Sequence, residues 1–85
     1  MNKTSQRLQE TSHSLYSRGY VYDDFDYFDA LKQISELVDK SPIQVQERIL
    51  CCRTRRLKSS TDLKKLIALE TKFKGMGLDV YIKVH

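Results

Sequence analysis

Apolar residues recur every three or four positions over Phe28, Leu31, Ile34, Leu37 and Val38. This spacing predicts an amphipathic helix from about Asp26 to Val38. Asp23, Asp24 and Asp26 offer caps for its start. The stretch "DKSP" interrupts the pattern, because the residue before a proline avoids helical geometry. Ser41 is a good N-cap and Pro42 suits a first helical position, so a further helix is expected from Pro42. On it Val45, Ile49 and Cys52 share one stripe, widened by Ile43, Leu50 and Leu57. The opposite face collects Gln44, Glu47, Arg48, Cys51, Thr54, Arg55 and Lys58. "KSSTD" breaks the pattern again. "DLKKLIALETKFK" predicts another helix burying Leu63, Leu66, Ile67 and Phe73, ended by Gly75 and Gly77.

The two ends of the chain differ from this middle. Residues 4–18, "TSQRLQETSHSLYSR", place Leu8 and Leu15 one heptad apart, which predicts a thin-striped helix or arm ended by Gly19. Tyr20, Val21 and Tyr22 have strand preference. The last element, "LDVYIKV", alternates, with Leu78, Val80 and Ile82 to one side and Asp79, Tyr81 and Lys83 to the other. A lone strand is not stable, so it is expected to pair with residues 20–22 or across a dimer. The expected fold is therefore mainly α (α+β): a three- to four-helix bundle containing a helix-turn-helix-like pair, with a C-terminal strand. At 85 residues a single domain is expected. Its parts are a weakly packed N-terminal helix or arm (1–19), the helix pair (26–58), and a helix with the terminal strand (60–85).

Charge sharpens this picture. The net charge is +4, but its distribution is uneven. Residues 1–42 hold five Lys/Arg and seven Asp/Glu, whereas residues 43–85 hold ten and four. A basic half points to a polyanion or an acidic protein partner, and pairing between the two halves is the plainer reading. No apolar run approaches the roughly 20 residues a membrane helix needs. The polar start "MNKTSQRLQE" lacks the apolar segment of a secretory signal, so the expected location is the cytoplasm and no membrane partner is expected. The adjacent Cys51 and Cys52 have no metal-site spacing with His13 or His85, and both are expected as reduced thiols, one buried and one partly exposed. No nucleophile–base motif, Gly-rich phosphate loop or metal-ligand set stands out, so a non-enzymatic protein without cofactor or metal is expected.

The helix pair is the informative motif. "LKQISELVDKSPIQVQERI" resembles the helix-turn-helix of bacterial repressors at Leu31, Ile34, Ser35, Val38, Ser41, Pro42, Val45 and Ile49. With the following helix and strand, residues 30–83 resemble Xre-type regulators, in particular antitoxins. The sequence departs from that pattern at Asp39, Lys40 and Arg48. The resemblance implies a dimeric DNA-binding transcription regulator or antitoxin-like repressor, with the helix from Ser41 in the major groove of double-stranded DNA. Candidate base contacts are Ser41, Gln44, Gln46 and Arg48. Candidate phosphate contacts are Arg53, Arg55, Arg56, Lys58, Lys64 and Lys65. Leu78, Val80, Tyr81 and Ile82 are the candidate dimer or partner interface. A second reading is a protein-binding adaptor or inhibitor of a mobile element, acting on a toxin or host protein through the terminal strand and charged helix faces.

Overall fold

The computed structural model describes residues 12–84. Its elements run β1 (His13–Val21), α1 (Tyr27–Val38), α2 (Pro42–Arg48), β2 (Arg55–Ser60), α3 (Leu63–Gly75) and β3 (Leu78–Val84). The three strands form one antiparallel sheet in the order β2-β1-β3. The fold is thus a small α+β unit and not the expected helical bundle.

The helix starts follow from their caps. The Asp26 carboxylate accepts from the Asp29 N–H at 2.9 Å, and Asp39 closes α1 in left-handed geometry at φ 55°. Ser41 and Gln44 cap α2 reciprocally: the Ser41 Oγ accepts from the Gln44 N–H, and the Gln44 Oε1 accepts from the Ser41 N–H. Asp62 caps α3 by accepting from the N–H groups of Lys64 and Lys65.

Two elements depart from the sequence expectation. Residues 13–18, expected to be helical, are strand, while residues 4–11 of that expectation lie outside the described residues. The period of two is present, but its inner side is Leu15, Ser17 and Gly19. Two small residues carry no apolar signal. Gly19 does not stop a helix; it lets another segment cross the strand. A Cβ there would lie 2.5 Å from the Arg53 backbone N, and its φ is +90°. The Cys52 N–H donates to the Gly19 carbonyl at 2.9 Å.

The second departure is the long helix expected from Pro42 to Leu57. It ends at Arg48, and the Ile49 and Leu50 N–H groups both return to the Val45 carbonyl at 2.8 Å. Cys51, Cys52 and Thr54 are weak helix formers. Cys52 turns left-handed at φ 59°, and Arg55–Ser60 then pair with β1.

Leu15, Ala30, Leu31, Ile34, Val45, Ile49, Leu50, Leu66, Phe73, Leu78 and Val80 form one core between the helices and one sheet face. The helical stripes rotate from the expected positions. Phe28 is 73% exposed, Ile43 67% and Ile67 47%, and Leu63 is exposed too. On α3 the inward stripe is Leu66, Leu69, Phe73 and Met76, still at helical spacing. Cys52 is exposed and Cys51 half-buried, so neither thiol is a core residue. The final strand pairs within the chain, with β1 from His13–Val84 to Val21–Leu78.

Candidate nucleic-acid interface

The candidate base contacts do not form a free recognition surface. Ser41 and Gln44 are occupied by each other in the capping box. The Gln46 amide donates to the Tyr27 hydroxyl at 3.2 Å. Of the four, Arg48 alone makes no side-chain hydrogen bond among the described residues. The helix they occupy has seven residues, about two turns, and exposes Ile43 and Glu47 along with them.

The candidate phosphate contacts come together better, on a strand instead of a helix. Arg53, Arg55, Arg56 and Lys58 are all exposed along β2 and its approach. β2 is an edge strand, with β1 on one side only. Successive strand residues point to opposite faces, yet the register shifts opposite Leu15 and Tyr16, where Leu57 is the extra residue. Lys58 stands beside Leu15, and Arg56 beside Tyr16. Lys64 and Lys65 follow on the exposed first turn of α3. Among the described residues the ion pairs are Arg18–Asp79 and Lys74–Glu70. None of the six candidate phosphate contacts is in an ion pair with a carboxylate among the described residues. Arg55 has one local partner: burial pushes the Cys51 thiol up, but the Arg55 guanidinium and backbone hydrogen bonds, Arg53's among them, together outweigh it and lower its pKa below the ordinary thiol value.

The remaining candidates, Leu78, Val80, Tyr81 and Ile82, lie on β3. Leu78 and Val80 are buried in the protein's own core, so neither is free to meet a partner while the fold is intact. Tyr81 faces the other way and stacks on Tyr16 with ring centroids 5.5 Å apart, and the Arg18 guanidinium lies 4.2 Å from its ring centre. Ile82 is half-buried against the core.

That other sheet face has a centre that inspection of the sequence missed. Arg18 donates to Asp79 at 2.9 Å and the Tyr22 hydroxyl donates to it at 3.1 Å. Burial pushes the Asp79 carboxyl up, but hydrogen bonds from Tyr20, Arg18 and Tyr22 outweigh it and hold its pKa below the usual carboxylate value. Reciprocally, Asp79 raises the Tyr20 pKa, and burial together with Asp79 raises that of Tyr22. The alternation Tyr16, Arg18, Tyr20, Tyr22 was the available signal. This cluster is closed on itself, a cation against a carboxylate, and it braces β1 to β3.

A cleft of about 450 Å³ lies where α1, α3 and β2 meet incompletely. Its apolar lining is Leu15, Leu37, Val38, Ile49, Leu57, Leu69 and Phe73, and its polar lining is Lys40, Arg48, Arg56 and Lys58. No carboxylate is among these described lining residues.

No group of three or more His, Cys, Asp or Glu among the described residues could hold a metal ion. No helix among them is long and apolar enough to cross a membrane. No family model, curated protein or solved structure matches the chain.

Proposed function

We propose that the protein is a small non-enzymatic DNA-binding regulator that grips the duplex backbone with the edge strand β2 and the first turn of α3. The observation that carries this reading is the row Arg53, Arg55, Arg56 and Lys58, exposed along an edge strand and its approach without a carboxylate partner among the described residues. Lys64 and Lys65 extend it onto α3. Arginine is suited to phosphate, because its planar fork donates two parallel hydrogen bonds. Charged side chains on an edge strand also discourage strand-to-strand aggregation. The row here holds four cations in six residues.

This reading moves the grip away from α2. The capping box occupies Ser41 and Gln44, and Gln46 is held by Tyr27, so Arg48 is left as the candidate to reach a base edge. Backbone contacts then supply most of the affinity, and binding should be strongly salt-dependent.

Fluorescence anisotropy of a labelled mixed-sequence duplex tests it. Binding at low salt that weakens steeply as salt rises is the expected result. A duplex that remains unbound at low salt would overturn the proposal. Comparing a duplex taken from upstream of the protein's own coding region measures the sequence-reading contribution. Arg48→Ala should narrow the difference between the two duplexes if that side chain reads a base.

A further inference from the structure

Two surface features match each other, and the first shares Arg48 and Lys58 with the DNA reading. One is the cleft between α1, α3 and β2. It is floored by Leu57, Leu69 and Phe73 and lined by the exposed cations Lys40, Arg48 and Lys58. Leu57 and Leu69 are only partly buried, packed against the core from its margin. The other is Phe28, at the start of α1. It is 73% exposed, and a phenylalanine left in water forfeits the free energy of burying its ring. It stands among four exposed carboxylates, Asp23, Asp24, Asp26 and Asp29, none of them in an ion pair among the described residues.

We infer that the cleft receives the Phe28 knob of a second copy of this chain. The knob brings an aromatic ring to an apolar floor and carboxylates to a cation-lined mouth. Both halves of the contact are present in the same molecule but cannot meet there. Phe28 lies in the first turn of α1 and lines a second cleft with Lys32 and Lys40, whereas the first cleft takes Leu37 and Val38 from the other end of α1. Ten residues of helix separate Phe28 from Val38 by about 15 Å. The contact is therefore intermolecular and joins unlike patches of two copies. It also gives the uneven charge of the chain a use, since the acidic segment of one copy meets the basic segment of the next.

The inference does not depend on DNA binding, and its test contains no DNA. Sedimentation velocity of the full chain across a concentration series reads the assembly directly. The expected result is a weight-average mass that rises with concentration above the 10.0 kDa of one chain. Phe28→Ala, on an exposed side chain, should leave the circular dichroism unchanged and weaken self-association about thirtyfold, the loss typical of a central aromatic anchor. Asp23→Lys with Asp24→Lys and Asp29→Lys, and separately Lys40→Glu with Arg48→Glu and Lys58→Glu, should each give monomers. Mixing those two charge-reversed chains should restore association, because a basic knob then meets an acidic cleft. A wild-type chain that stays monomeric throughout would overturn the inference. So would association that survives Phe28→Ala, or folded charge-reversed chains that stay monomeric when mixed.

Discussion

The two edges of the sheet do opposite work. β3 and β2 flank the same central strand, and both are short and antiparallel to it. β3 turns Leu78 and Val80 into the core, and its outward Asp79 is gripped by Arg18 and Tyr22. β2 commits little to the fold: Leu57 and Ser60 are half-buried, and the other four residues are exposed. One edge makes the structure, and the other carries exposed side chains that the core does not use. The lesson is that a charge row is informative where the fold does not need it, and that an alternating apolar strand can be wholly absorbed by its own core.

Substitutions should break this asymmetry in a graded order. Val80→Lys puts a cation into a site with 1% exposure. A buried unpaired charge exceeds what a small domain can tolerate, so loss of the native circular dichroism spectrum is expected. The matching change on the other edge, Leu57→Lys, should leave a folded chain. Next is Gly19→Ala. The added methyl meets the Arg53 backbone at 2.5 Å in a left-handed conformation, and a loss of about 2 kcal/mol in urea unfolding is expected. That change also shifts the approach to β2, so it links the two edges.

Asp79→Asn tests the β3 side through pH. The Asp79 pKa is lowered in the folded protein. Its stabilisation is therefore fully present above the unfolded carboxylate pKa and is lost as pH falls through the folded value. Thermal unfolding of the wild type should weaken below about pH 4, and Asp79→Asn should flatten that acid limb while lowering stability near neutral pH. An unchanged acid limb would remove Asp79 from this role. The smallest stability effect belongs to the β2 side. Arg53→Gln, Arg55→Gln and Arg56→Gln together should change unfolding by no more than about 0.5 kcal/mol per site.

The parts of this fold legible in the sequence were those with local signals. Caps at Asp26 and Ser41 and the break "KSSTD" marked three helix starts, and alternation marked β3 and its inward residues. β1 was hidden because its inner side is Leu15, Ser17 and Gly19, and small residues against a crossing loop leave no apolar period. β2 was hidden because an edge strand with one half-buried leucine reads equally well as the tail of a helix. The stripes of α1 and α3 were legible in period but not in phase, since Phe28 and Ile67 fit the spacing yet face outward. As for the site, the basic residues were visible in composition. Their gathering along a strand, and a cleft lined from five separate elements, required the tertiary structure.

The most direct test of the account is the salt dependence of duplex affinity for the wild type and for the triple Arg53→Gln, Arg55→Gln, Arg56→Gln variant. If β2 holds the phosphates, the variant should bind more weakly, and its log–log salt slope should be shallower by about 0.9 for each cation removed. Equal affinity and equal slope in a folded variant would contradict the assignment of the β2 edge as the DNA-binding surface.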